Sequence, residues 1–229
     1  MTSYMQRFSR WQRVQHVCVM LVFTLLCATG LPQRFFDSGW AQWMLSMFGG
    51  VDRARWTHRV CGLSLAGLMA IHFAVEIFAL VRGRGSLALV PTRQDFTDAI
   101  LTIRYYLGVS DRQARFDRFD YRQKFEYWGL VLGSLLVVAT GLVLLFPVQV
   151  TQRLSGAVVP VASVAHSNEG LLAFLTILIW HIYNAHLSPD VFPFDTSIFT
   201  GRISLDRMKH EHPRELERLA ERAGEKHVA

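Results

Sequence analysis

Six of the nine histidines fall in or at the ends of long apolar stretches: His16, His58, His72, His166, His181 and His186. Imidazole ligates transition metals and haem iron, and an ionisable group inside a bilayer is costly enough to be a functional candidate by default. A single membrane histidine is more often a hydrogen-bonded packing residue. Six of them on three of four apolar stretches argue for chemistry instead. His210, His212 and His227 lie in a charged C-terminal tail and read as solvated.

The spacings narrow the chemistry. His58 and His72 are 14 residues apart, and His166 and His181 are 15 apart. At about 100° per residue, 14 steps return to within roughly 40° of the same helix face and 15 steps to within roughly 60°. Each pair is then separated by about 21–23 Å along its axis. That distance suits two haems stacked one above the other. Haem iron takes one imidazole from each side, so two facing helices must each supply a histidine at matching depth. His58 and His166 share the outer level, and an outer haem is expected between them. His16, His72 and His181 share the inner level, where His181 faces either His16 or His72.

Gly62 and Gly170 each lie four residues after an outer histidine, where a missing side chain lets a macrocycle approach the backbone. Arg13, Arg55, Arg59 and Arg153 either pair with haem propionates or anchor the helices. His186 follows His181 by five residues. A regular α-helix would set the two roughly 140° apart, on different faces. Glu76, one turn beyond His72, and Glu169, one turn from His166, can relay a proton or orient an imidazole. Equally, they can snorkel or bond a hydroxyl.

These residues need helices that cross a membrane. The 229 residues are 51% hydrophobic and only 18% charged, and the charge is segregated. Four stretches are long enough to span, at about 20 residues each: 15–31, 57–81, 127–146 and 164–187. Prolines 147 and 189 stop the last two. Backbone satisfaction in lipid demands helices, and the alternation of a barrel strand is absent. The expected fold is an all-α integral membrane bundle of four transmembrane helices, with short interfacial helices at 39–48 and 95–107. A membrane domain would cover 1–200. A soluble, charged C-terminal helix, interrupted by Pro213, would follow at 201–229. No internal repeat is visible.

Arginine and lysine crowd the N-terminal arm, the stretch from Arg82 to Lys124 and the tail, which places both termini and the middle loop in the cytoplasm. The net charge of +6 reflects arginines that flank spans and meet lipid headgroups, so no nucleic-acid partner is implied. Cys18, Cys27 and Cys61 sit within apolar segments at spacings that suit neither disulfides nor zinc. The first apolar run is long and has no clear small-x-small site, so it reads as a span rather than a cleaved signal.

The chain resembles bacterial di-haem cytochrome b proteins. These are the cytochrome b subunits of formate dehydrogenases and nickel–iron hydrogenases, and relatives that partner multihaem cytochromes c. The resemblance rests on Arg13-x-x-His16 with Thr29-Gly30, and on His58-x-x-x-Gly62. It continues through Gln123-Lys124-x-x-Tyr127-Trp128 with Thr140-Gly141, then His166-x-x-x-Gly170 and His181-x-Tyr183. It covers about residues 7 to 215. It implies two b haems in a bacterial inner membrane, the outer held by His58 and His166 and the inner by His16 and His181. It also implies electron exchange with a periplasmic iron–sulfur or cytochrome subunit, and a quinone site where the middle loop enters the third helix. Asp120, Gln123 and Lys124 lie in the matching stretch, and Glu76, one turn beyond His72, is a further candidate to carry the protons. Asp120 and Arg122 stand where the formate dehydrogenase type tends to have asparagine and glycine. His72 and the stretch Pro189-Asp190-Val191-Phe192-Pro193 look like the branch associated with cytochromes c. His72 is therefore an alternative inner ligand, a ligand to a third haem, or a lining residue of the quinone site.

Three rival functions make different demands. A transporter with a histidine proton relay needs polar residues along several helices, and the third span is almost purely apolar. A membrane di-iron oxygenase needs several histidine clusters. A mere anchor for a soluble partner needs no histidines at matched depths.

Overall fold

A computed structural model describes residues 3–189 and 191–226. His227 and Asp190 lie outside the described residues. Four helices are long and apolar enough to cross a membrane: α1 (Arg10–Arg34), α3 (Val51–Val81), α5 (Tyr121–Leu145) and α7 (Val158–Leu187). At about 1.5 Å per residue each exceeds the roughly 30 Å hydrocarbon core. Their outward side chains are apolar and bare: Leu132 is 61% and Ile179 65% exposed. A water-soluble monomer does not present such continuous apolar surface, whereas lipid requires it. The protein is a multi-pass membrane protein of all-α architecture.

Each helix starts five or six residues before the expected span, and in α1, α3 and α5 the added residues include charged side chains that suit the interface. Helix α5 starts at Tyr121 and ends at Leu145, and Pro147 then opens the short α6 (Pro147–Thr151). Proline lacks the N–H to continue α5 but is accepted in a first turn. The same tolerance admits Pro160 in the first turn of α7. The interfacial stretch at 39–48 forms α2 (Gly39–Met47), with Trp40 and Trp43 exposed. Gly49 and Gly50, at φ of 80° and 104°, turn the chain from α2 directly into α3, a backbone path other residues resist.

Contacts divide the chain into two units, and the division differs from the expected 1–200 and 201–229. The helical unit comprises residues 10–83 and 130–195, and the polar unit comprises 1–9, 84–129 and 196–229. The N-terminal arm and the middle loop carry Arg7, Arg115 and Arg118, which pair with Glu215 and Glu217 of the tail.

In the polar unit, β1 (Tyr4–Gln6) pairs antiparallel with β2 (Arg202–Ser204), Met5 opposite Ile203. The Arg7 guanidinium, 4% exposed, bonds Glu215 at 2.6 Å and also donates to the Arg118 carbonyl. Arg118 reaches the other Glu215 oxygen at 3.0 Å. His212 Nδ1 lies 2.7 Å from the Asp117 carbonyl and its Nε2 3.0 Å from Arg7. His212 is thus buried, not solvated as its charged neighbourhood implied. Burial and the adjacent Arg7 charge push its pKa down to about 4. The amphipathic stretch at 95–107 is α4 (Arg93–Tyr106), started by a capping box between Thr92 and Asp95. After the four-residue α8 (Ser197–Thr200), the tail forms α9 (Leu205–Glu211) and α10 (Pro213–Lys226), broken where Pro213 was expected to interrupt it.

Candidate functional site

In the helical unit the histidines meet in twos. His58 on α3 and His166 on α7 face each other with ring centroids 6.1 Å apart. His16 on α1 and His181 on α7 face each other at 6.2 Å. Of the two residues expected to compete for the place opposite His181, His16 occupies it. His72 is half-buried, and its ring neighbour is Phe73 beside it in sequence. Thr29 of α1 touches the first pair, and His16 lies 13 residues back along the same helix. The two tiers are therefore about 20 Å apart along α1.

This separation within each tier fits a bis-imidazole haem. An imidazole nitrogen sits about 2 Å from a bound transition metal and about 1 Å from its ring centre, so two imidazoles on one iron have centres about 6 Å apart. Gly62 and Gly170 are half-buried, yet a Cβ at either would meet no atom within 4 Å. The exposed Gly67 and Gly129 also have open surroundings, as surface glycines should. Open space beside half-buried glycines one turn from a ligand is what a flat macrocycle needs.

Two Thr-Gly pairs frame the first tier. Thr29 Oγ1 lies 2.9 Å from His58 Nδ1, and Thr140 Oγ1 lies 3.2 Å from His166 Nδ1. The adjoining glycines clear space for the rings. A Cβ on Gly30 would stand 2.9 Å from His58 Cε1, and one on Gly141 would stand 3.2 Å from His166 Cε1. The first distance forces movement, and the second requires only a slight shift. Gly30→Ala should therefore displace His58 and broaden or diminish the haem absorption of that tier. Gly141→Ala should perturb it less. Optical spectra of the two purified variants check the ranking.

Residues 7–191 match the model of the prokaryotic cytochrome b561 family. The chain belongs to that family. No curated protein matches the chain. As a prokaryotic cytochrome b561 it binds haem b and carries electrons in a membrane. Bound haem supplies reversible one-electron reduction at its iron.

The remaining sequence candidates divide. Asp120, Gln123 and Lys124 lie in the polar unit. The Asp120 carboxylate pairs with Arg122 at 2.7 Å and accepts from the Gln123 amide at 2.8 Å. Lys124 Nζ donates to both Asp95 oxygens, at 2.8 and 2.9 Å. Burial alone would raise the Asp95 pKa, but the bonds from Lys124 and Thr92 outweigh it and hold the carboxyl low. Glu76 forms no hydrogen bond or ion pair among the described residues. Glu169 does not orient His166, whose Nδ1 meets Val137 and Thr140 instead. Its carboxyl rests against the α5 backbone at Gly133, where a Cβ would overlap Oε1.

His186 corrects the sequence expectation. Residues Thr176–His181 and Tyr183–Leu187 are π-helical, with the Ile182 amide bonded to the Ile177 carbonyl and the Ser188 amide to Tyr183 at 2.8 Å. Hydrogen bonds from residue i to i+5 bring positions five apart about one turn above each other. His186 therefore follows His181 on its own side of the helix, stacked on Phe194 at 4.1 Å. No residue pattern announced the wider turns. The short helix repeat missed by the sequence is equally local: Leu25, Leu26, Thr29 and Gly30 on α1 recur as Leu136, Val137, Thr140 and Gly141 on α5.

Proposed function

We propose that this chain is the haem b subunit of a bacterial inner-membrane complex, transferring electrons between a periplasmic redox partner and the membrane quinone pool. Both termini and the middle loop face the cytoplasm, which the arginine-rich segments favour. The observation that carries the reading is the pair of facing imidazoles in each of two tiers, one level near each end of the spans. His58 and His166 hold the outer haem, and His16 and His181 the inner one. The partner is an iron–sulfur protein or a multihaem cytochrome c, and substrate oxidation or reduction belongs to it.

A quinone exchanges protons as well as electrons, so its site needs polar groups. Asp120, Gln123 and Lys124 are the nearest such group in sequence to the start of α5, and Glu76 lies one turn beyond His72. Within the helical unit His72 is a candidate for quinone contact rather than an inner-iron ligand, because His16 holds the position facing His181. The di-iron alternative is disfavoured: among the described residues, no three His, Cys, Asp or Glu side chains converge as a metal site.

The test uses the full-length protein in liposomes. Quinol should reduce its haem, and Asp120→Asn and Asp120→Ala should slow that step while leaving dithionite-reduced spectra intact. Unchanged quinol kinetics in both variants would remove Asp120 from the site. A colourless protein, made with ample haem, would defeat the whole reading.

A further inference from the structure

The hydroxyl protons of Thr29 and Thr140 are already committed. Each donates to the carbonyl four residues earlier, Thr29 to Leu25 at 2.7 Å and Thr140 to Leu136 at 2.7 Å. A hydroxyl has one proton, so it presents only its lone pairs to the neighbouring imidazole. The Nδ1 atoms of His58 and His166 must then be the donors. For His166 a second contact requires the same answer, because the Val137 carbonyl, 3.0 Å from Nδ1, can only accept. A neutral imidazole carries one N–H. With that proton on Nδ1, the bare Nε2 of each ring is left for iron.

The two halves use one register. Each threonine is preceded four residues back by the carbonyl that accepts from its own hydroxyl, and on α5 the carbonyl three back accepts from the histidine. Each is followed by the glycine that makes room for the ring. Shape alone does not explain this. Valine has the outline of threonine and would fill the same space, but it offers the imidazole nothing to bond.

We propose that Thr29 and Thr140 are positioning residues that supply an acceptor to the Nδ1–H of His58 and His166 and hold the haem of that tier at a lowered reduction potential. The inference rests on the reading of His58 and His166 as an axial pair. An acceptor on Nδ1–H makes an imidazole a more basic ligand. A more basic ligand favours ferric over ferrous iron, so the potential falls when the bond is present and rises when it is lost.

The experiment is a redox titration of the full-length protein, followed optically, for Thr29→Val, Thr140→Val, the double variant, and Thr29→Ser and Thr140→Ser. Expected are wild-type haem content in all variants and an upward shift of one haem's potential in each valine variant, larger in the double. The His16–His181 haem stays unmoved as an internal reference, and serine restores the original value. Valine variants with wild-type potentials would overturn the proposal. If a valine variant loses haem, the serine variant decides. Serine with wild-type haem and potential upholds the hydroxyl's role, and serine that also loses haem refutes it. Wild-type protein that binds no haem is a separate result, since it would remove the ligand assignment itself.

Discussion

Replacing His58 or His166 with alanine removes one haem and leaves the other in place. Absorbance per polypeptide should fall by about half, because bis-imidazole ligation needs both rings and neither neighbour can substitute. The rings stand 6.1 Å apart across the space between α3 and α7, so an alanine on either side leaves the iron one ligand short. The double variant should lose no more than either single one. Two residues that act as a unit are not additive, and the first substitution already breaks the sandwich. His16→Ala and His181→Ala should produce the complementary loss. His72→Ala should leave haem content unchanged, since His16 holds the place opposite His181. Pyridine haemochrome counting and difference spectra measure each case. An intact spectrum in the His58 and His166 double variant would end the two-tier account.

Glu215→Ala should loosen the polar unit more than any other single change there. Glu215 is 3% exposed and neutralises Arg7, itself 4% exposed, while its second oxygen holds Arg118. Breaking a buried pair by removing one partner costs about 3–5 kcal/mol, because the other charge stays buried and uncompensated. Here two guanidiniums lose one carboxylate. The protection of backbone amides in α9 and α10 against hydrogen exchange should fall on the order of 100-fold or more. Arg7→Met, which removes the opposing charge and keeps the bulk, should cost less in combination with Glu215→Leu than Glu215→Ala costs alone. Wild-type protection in Glu215→Ala would show that the pair does not hold the tail.

The same cluster makes the tail sensitive to acid. The His212 pKa is about 4 in the folded unit against 6.5 for a free imidazole. Between those values the unfolded segment binds the proton and the folded one does not. Stability is therefore complete above about pH 6.5 and is lost as pH falls towards 4. Amide protection in α9, corrected for intrinsic exchange, should decline across that window, and His212→Asn should flatten the slope.

Much of this was legible in the chain. Four apolar runs of spanning length dictate helices, because lipid offers no partner for an unpaired backbone. Histidines at 14 and 15 residues dictate two levels, because helical rise converts spacing directly into depth. These depend on local chain geometry alone. Other features depend on which segments meet, and sequence spacing carries no such information. His16 rather than His72 faces His181 because of how α1, α3 and α7 pack. His212 is buried because an arginine more than two hundred residues away lies against it.

What the sequence by itself determined is therefore the membrane class, the number of spans and the depth of each imidazole, all set by composition and by rise per residue. Only the tertiary structure decided that His16 rather than His72 pairs with His181, where the polar arm, loop and tail join, and that Thr29 and Thr140 serve histidines on other helices. It also decided the wide turns that carry His186 round to the side of His181. Pairing, burial and hydrogen-bond direction depend on distances between helices, and a linear order of residues does not contain them.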